Sequence, residues 1–178
     1  SISLDADENL WVGNYIYPYS KYVDKVYRNY AKKFFDDGIA KIDQDGKILF
    51  RKSIAEILIE NKLAGAELFF EKKLDPIHAN DIQPAFSDTQ YWKKNDLFIS
   101  ARSLDAIIHY RPSNNKVINY ITGPFFSQHD VDIISDKEIS IFNNNNSLME
   151  DSKYSEVLIY NFETKKFSKK FDKNLKKI

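Results

Sequence analysis

The sequence predicts an all-β protein built from four-stranded antiparallel β-propeller blades, about three in this chain, with short helical insertions. Three observations lead to this fold class. A strand followed by a hairpin recurs along the chain, polar turn sequences separate the strands of each hairpin, and the later units are spaced about 42 residues apart. That spacing is typical of four-stranded propeller blades.

Three predicted strands define the repeat, and each precedes a hairpin. The strands are Leu10–Tyr15, Leu97–Arg102 and Ile139–Asn144. The hairpins are Gly38–Arg51, Asp105–Ile121 and Glu156–Phe171. Their turns contain Asp43–Gly46, Pro112–Asn115 and Asn161–Thr164, and Asp-Gly or Asn-rich turns between apolar runs indicate hairpins.

A further strand before two of the units completes the count of four strands per blade. These strands are Asp81–Phe86 and Asp130–Ser135. The first two units are farther apart than the last two, which predicts insertions near 16–37 and 53–74. Ser53 and Glu56 form a capping box that predicts a helix over about 53–62.

The whole chain, residues 1–178, is predicted to be a single partial propeller domain. Three blades do not close a ring, because propellers use about four to eight, and an open array leaves unpaired strand edges. We therefore expect the remaining blades to come from sequence outside this chain or from another chain. An open stack of three blades is the third possibility.

The composition excludes several classes of function. Lys and Arg together number 26, as do Asp and Glu, so the zero formal charge argues against a nucleic-acid or anionic-membrane surface. The basic segment Lys165–Lys177 is interpreted as a solvated terminus. The absence of cysteine excludes disulfides, thiolate catalysis and cysteine zinc sites. No apolar run reaches the ~20 residues of a membrane span.

Two of the three histidines are expected to occupy equivalent places in the repeat. His78 precedes the strand at Asp81 and His129 precedes the strand at Asp130, so we expect both imidazoles near the propeller axis, at one end of the channel. His109 alternates with Ile107 and Arg111 inside a strand, which indicates a packing or surface residue.

Polar residues near the two histidines complete a predicted anion site. An extended chain would put His78 and Asn80 on one side, and Arg102 on the face of Ser100 and Phe98. The planar fork of an arginine suits bidentate contact with sulfate, phosphate or carboxylate. Gln128 flanks His129.

These residues also resemble a known family. The segments Asp75–Ile82, Ile99–Arg102, Ser127–Asp130 and Ile139–Asn144 are similar to the His-x-Asn, Ser-x-Arg and Gln-His pattern of bacterial arylsulfotransferases. The resemblance implies a six-bladed propeller that moves a sulfuryl group from a phenolic sulfate ester to another phenol. It further implies a periplasmic or secreted location and no cofactor or metal.

The resemblance assigns roles to residues of this chain. His129 would be the nucleophile that forms a sulfohistidine, with His78 and Arg102 as its catalytic partners. Asn80, Ser100 and Gln128 would bind the substrate. Trp92, Phe125 or Phe126 could stack on the aryl ring, although packing in the core is the more common role of such residues.

Two departures from the family pattern keep other functions open. No histidine precedes His78, where the family has one, and Asn143–Asn146 replace its Asp-Asn-Gly. A non-catalytic propeller that binds a ligand or a protein is therefore the main alternative. A metal hydrolase using His78, His129 and Asp81, Asp130 or Asp132 is a further one.

Overall fold

Three four-stranded antiparallel sheets make up most of the protein in the computed structural model, which describes residues 1–30, 35–64, 74–144 and 154–170. The strands of each sheet follow one another in sequence order, as they do in a propeller blade. The predicted all-β fold of four-stranded blades with few short helices is confirmed.

The first sheet, blade 1, contains a short strand that the sequence pattern does not reveal. Its strands are β1 Ile2–Leu4, β2 Leu10–Tyr15, β3 Asp37–Ile42 and β4 Ile48–Ser53. Three residues are too few to show an alternating pattern, so β1 was not predicted. The turn between β3 and β4 contains Gly46 at φ 81°, a left-handed conformation that glycine adopts without strain.

The other two sheets agree closely with the predicted repeat. Blade 2 consists of β5 Ala79–Pro84, β6 Leu97–Ala101, β7 Ala106–Arg111 and β8 Lys116–Thr122. Blade 3 consists of β9 His129–Ile133, β10 Glu138–Asn143, β11 Glu156–Asn161 and β12 Lys166–Lys170. Short 3-10 turns at Arg102–Leu104 and Pro112–Asn114 connect β6 to β7 and β7 to β8.

Among the described residues, two α-helices lie between the strands, α1 at Lys21–Tyr30 and α2 at Ile54–Glu60. The Ser53 hydroxyl accepts a hydrogen bond from the Glu56 N–H at 3.1 Å, so the predicted cap begins α2. The apolar side of α2 is buried in the core that joins blade 1 to blade 2. Parts of both predicted insertions, residues 31–34 and 65–73, lie outside the described residues, as do Asn145, Asn146 and most of the basic tail.

The blades are joined by two apolar cores. Trp11, Ile39 and Ile99 belong to the core between blades 1 and 2, whereas Phe98 and Ile141 belong to the core between blades 2 and 3. Successive residues of β6 thus face opposite neighbours, which explains why all five residues of this strand are buried.

The first strands of adjacent blades contact one another. β5 touches β1 on one side and β9 on the other, the arrangement expected of strands that line a central channel. The start of β5 and the start of β9 are therefore neighbours, and both candidate histidines lie there.

The side of blade 1 opposite to Trp11 exposes apolar residues. Ile2, Leu4, Leu10 and Ile48 are 71%, 55%, 37% and 56% exposed. The register pairs Leu4 with Leu10, Leu10 with Ile42 and Ile42 with Ile48, so these side chains share one face. This face suits our expectation that further blades complete the propeller, which stays a prediction.

Candidate active site

The three candidate catalytic residues lie at strand ends on blades 2 and 3. His78 immediately precedes β5, Arg102 immediately follows β6, and His129 is the first residue of β9. The Arg102 N–H donates to the carbonyl oxygen of His78 at 3.0 Å, so the backbones of these two residues are directly joined. One hydrogen bond thus fixes the distance between the start of β5 and the end of β6.

The two histidines are not at equivalent positions of the repeat, contrary to the sequence interpretation. Ala79 pairs with Ala101 and Asp81 with Ser100, which leaves Asn80 as an extra bulged residue. In blade 3, His129 pairs with Phe142 and Val131 with Ile141, which leaves Asp130 as the extra residue. His129 therefore corresponds to Ala79, and His78 corresponds to Gln128.

The backbone at His78 also differs from the extended chain that the sequence analysis assumed. His78 has φ 50°, a left-handed conformation, and the strand begins one residue later. The argument that His78 and Asn80 share a side because of strand alternation is therefore wrong. The left-handed turn and the bulge set their directions instead.

His129 is an exposed imidazole whose charge state depends on its neighbours. Three causes lower the pKa of His129 below 6.5: partial burial is the largest, followed by the positive charge of Arg102 and then that of His78. The positive charges of Arg102 and His78 thus act on His129 and disfavour its protonation. A lowered pKa keeps the imidazole neutral near pH 7, and a neutral imidazole has the lone pair that a nucleophile needs.

Arg102 carries a guanidinium group with unused hydrogen-bonding capacity. Its Nε is buried and has no hydrogen-bond partner among the residues that the structure describes. Within the described ranges, no carboxylate forms an ion pair with it, whereas Arg111 on β7 is paired with Asp96. An arginine without a protein counter-ion next to two histidines is well placed to bind an anionic group.

Asn80 joins the two loops that bear the histidines. Its side-chain amide donates to the carbonyl oxygen of Gln128 at 2.8 Å, directly before His129. Its Oδ1 is buried and has no partner within the described part of the chain. Asn80 therefore holds the start of β9 against β5, and among these residues its acceptor oxygen is unused.

Ser100 and Gln128 lie behind the site and have no exposed surface. The Gln128 amide donates to the Ala106 carbonyl oxygen at 3.0 Å and to Ser100 Oγ at 3.4 Å. Because both side chains are enclosed, direct contact with a substrate would need a rearrangement. Their substrate-binding role stays a prediction.

The loop before His129 is held by residues that the sequence analysis did not single out for this purpose. The Ser127 N–H donates to Asp105 Oδ1 at 2.6 Å, and the Ser127 carbonyl oxygen accepts from the Asn144 amide at 2.8 Å. Asn143 Oδ1 accepts from the Phe126 N–H at 2.9 Å. Asn143 and Asn144, which depart from the family pattern, thus keep a structural role.

The loop before His78 is held by two further aspartates that sequence reasoning missed. Asp75 Oδ1 accepts from the His78 N–H at 3.0 Å, and Asp75 Oδ2 lies 2.6 Å from His78 Nδ1. Asp37, on β3, accepts from the Ala79 N–H at 3.3 Å. The spacing Asp-Pro-x-His was a signal for the first contact, since an aspartate commonly accepts from backbone N–H groups two or three residues later. No local pattern indicated the second.

The aromatic candidates separate into core and surface residues. Trp92 and Phe125 are buried in the core between blades 2 and 3, where Trp92 contacts Phe98 edge to face at 5.4 Å between ring centroids. Phe126 is 41% exposed and lies three residues before His129. It is therefore the member of the three that is accessible to an aryl group.

His109 is part of a buried network away from this site. Its Nε2 lies 3.0 Å from Asp96 Oδ2, its Nδ1 accepts from the Asn119 amide at 2.9 Å, and its ring stacks on Phe98. The interpretation of His109 as a packing residue agrees with this placement.

The three aspartates of the metal alternative cluster along the first strands. Burial, followed by the negative charges of Asp132 and Asp81, raises the pKa of Asp130, and burial and Asp81 raise that of Asp132. Among the described residues, however, no group of three or more histidine, aspartate or glutamate side chains is arranged to hold a metal ion.

The fold and this site define a class of protein: a set of propeller blades with two histidines where first strands begin and, at the end of β6, an arginine that forms no ion pair among the described residues. The Arylsulfotransferase (ASST) family model matches residues 1–177, so the chain belongs to the arylsulfotransferase family. Membership indicates aryl-sulfate sulfotransferase activity and aryl sulfate substrates. Searches of curated proteins and of solved structures found no match. None of the described helices has the length and apolar character needed to cross a membrane.

Proposed function

We propose that this protein transfers a sulfuryl group from an aryl sulfate ester to a phenolic acceptor through a sulfohistidine at His129. The observation that carries the proposal is that His78, Arg102 and His129 lie at strand ends joined by two hydrogen bonds in a chain of the arylsulfotransferase family. The Arg102 N–H donates to the His78 carbonyl oxygen, and the Asn80 amide donates to the carbonyl oxygen of Gln128, directly before His129. The nucleophile, the anion-binding group and the proton donor that this reaction needs are then all within one small region.

In the first half-reaction, a neutral imidazole nitrogen of His129 attacks the ester sulfur. The S–N bond forms while the bond between sulfur and the aryl oxygen breaks, and the phenolate leaves with the electron pair. Arg102 stabilises the charge on the sulfuryl oxygens, and His78 gives a proton to the departing oxygen. In the second half-reaction, the acceptor phenol loses its proton to His78 and its oxygen attacks the sulfur, which releases His129.

Binding of the aryl sulfate involves the residues around this centre. Asn80, Ser100 and Gln128 are our proposed substrate-binding group. Asn80 acts at the surface, and Ser100 and Gln128 act from behind through the loop that carries His129. The exposed ring of Phe126 offers a surface for the aryl group. Family resemblance also leads us to propose a periplasmic or secreted location and a larger, six-bladed propeller.

The test is turnover of 4-nitrophenyl sulfate by the intact protein, with and without phenol. We expect release of nitrophenolate that depends on phenol, is lost in His129→Ala and falls strongly in Arg102→Gln. His109→Gln is the matched control for loss of a histidine, because His109 lies outside the site. No release by the folded intact protein would refute the proposal and favour a non-catalytic binding module.

A further inference from the structure

The left-handed turn at His78 is enclosed by two carboxyl groups from different blades. Asp75 contacts both the backbone N–H and the ring Nδ1 of His78. Asp37, on β3 of blade 1, accepts from the N–H of Ala79, and the negative charge of Asp75 helps to raise the pKa of its carboxyl group. The turn is therefore held by Asp37 from blade 1 and by Asp75 at the imidazole of His78.

We propose that the pair of Asp75 and Asp37 positions His78 for proton transfer in the reaction. Asp75 accepts the hydrogen bond of Nδ1–H, which leaves Nε2 as the nitrogen that exchanges a proton with the phenolic oxygen. This inference rests on the proposed function, because His78 is the proton donor of that reaction and the inference concerns which of its tautomers is present. Neither aspartate touches the substrate, so both are positioning residues.

The short contact between Asp75 and His78 supports the first part of this inference. The Nδ1 to Oδ2 distance is 2.6 Å, at the short end for a hydrogen bond between a nitrogen donor and a carboxylate. The second hydrogen bond, from the His78 N–H to Oδ1, fixes the direction of the carboxylate relative to the ring. A histidine whose Nδ1–H is held by a carboxylate keeps one tautomer and one ring orientation.

The burial of Asp37 supports the second part. Asp37 is 7% exposed, and burial, followed by the negative charge of Asp75, raises its pKa. Two neighbouring carboxyl groups avoid carrying two negative charges at once, so the inference assigns the proton to Asp37, the buried member of the pair, as a donor to Asp75. Asp75 then remains the acceptor of the His78 Nδ1–H, and Asp37 holds the Asp75 carboxylate in place.

Groups on each neighbouring element also face this pair. The Tyr15 hydroxyl on β2 is affected by the charges of both aspartates, which raise its pKa after burial. The positive charges of Arg102, which follows β6, and of His78, which precedes β5, both lower the pKa of His129.

The tautomer of His78 can be tested independently of activity. We would record ¹⁵N spectra of the imidazoles in the intact protein and assign His78 with His109→Gln and His129→Gln. The proposal predicts Nδ1–H and an unprotonated Nε2 for the neutral ring. In Asp75→Asn we expect a mixture of tautomers, and an unchanged His78 spectrum would overturn the inference whether or not the protein turns over aryl sulfates.

Kinetics give a readout that a structural role would not change. A phenol that leaves poorly needs protonation more than nitrophenol does, so Asp75→Asn should lower kcat on phenyl sulfate by about 100-fold and on 4-nitrophenyl sulfate by about 10-fold. An equal loss on both substrates would contradict the inference. If the wild-type protein is inactive on both esters, the proposed function fails while the spectra still decide the positioning role.

Two substitutions at Asp37 distinguish the effect of its hydrogen-bond donor from the effect of removing the side chain. An asparagine can donate to Asp75 and accept from Ala79, as the protonated acid does, so kcat of Asp37→Asn should stay within about 3-fold of the wild-type value. Asp37→Ala can do neither, so it should show the spectral and kinetic changes of Asp75→Asn. Asp132→Asn is the matched control, since it removes a carboxylate from β9 that has no hydrogen bond to His78 among the described residues. Equal behaviour of Asp37→Asn and Asp37→Ala would overturn the role of the shared proton.

Discussion

Asp96 offers the clearest test of how blade 2 is stabilised. Its carboxylate is 1% exposed and accepts two hydrogen bonds of 2.7 Å from Arg111, and it lies 3.0 Å from His109 Nε2. Burial alone would raise the pKa of Asp96, but the hydrogen bonds from Arg111 and His109 outweigh it and lower the pKa from 3.8 to about 2. The folded state therefore favours the ionised carboxylate.

This lowered pKa corresponds to a definite contribution to the free energy of unfolding. A decrease in the pKa of Asp96 from 3.8 to about 2 adds about 2 kcal/mol to the free energy of unfolding. Because the folded-state pKa is depressed, the contribution is complete above about pH 4 and is lost as the pH falls through about 2. At pH 3 we expect about 1 kcal/mol of it to remain.

The substitution Asp96→Asn removes the charge and keeps the shape. We expect it to lower the free energy of unfolding by about 2 to 3 kcal/mol at pH 7, since it also leaves Arg111 without its partner. Urea unfolding at pH 7 and at pH 3 would measure the difference, which should narrow at the lower pH. Asp88→Asn is the control, because Asp88 forms an exposed ion pair with Lys93 and its substitution should lower the free energy of unfolding far less than Asp96→Asn does. A loss under about 0.5 kcal/mol for Asp96→Asn, or one independent of pH, would refute this reasoning.

Two further predictions concern the site. Because burial and the charges of Arg102 and His78 lower the pKa of His129, the acidic limb of the pH profile of kcat/KM should lie below pH 6.5. Removing the positive charge in Arg102→Gln should move this limb to higher pH. A limb that stays in place would contradict the interaction between Arg102 and His129. Because the Asn80 amide donates to the Gln128 carbonyl oxygen between two blades, Asn80→Ala should cost about 1 kcal/mol of stability in urea unfolding and reduce kcat/KM. Asn119→Ala, remote from the site, should leave kcat/KM unchanged.

The blades could be predicted from sequence because their signals are local. Asp-Gly and Asn-rich turns between apolar runs located the hairpins, and the spacing of Leu97 and Ile139 gave the blade length. The cap of α2 was also local, since Ser53 contacts Glu56 three residues away. By contrast, β1 has three residues, too few for a pattern to emerge.

The site was less predictable because its geometry depends on contacts between blades. His78, Arg102 and His129 were identified from motifs, but the bulges at Asn80 and Asp130 shift the register by one residue, which alternation does not anticipate. Asp37 lies 41 residues before His78, and only the packing of blade 1 on blade 2 brings its carboxyl group to that turn.

The most direct test of the central claim is detection of the covalent intermediate. The intact protein would be mixed with 4-nitrophenyl sulfate in the absence of an acceptor, quenched at alkaline pH and digested, and the peptide containing His129 examined by mass spectrometry. We predict an added mass of one SO3 on His129, which disappears when phenol is supplied and is absent from His129→Ala. Phenol-dependent turnover with the added mass on another residue, or with no added mass under any quench, would contradict the assignment of His129 as the nucleophile.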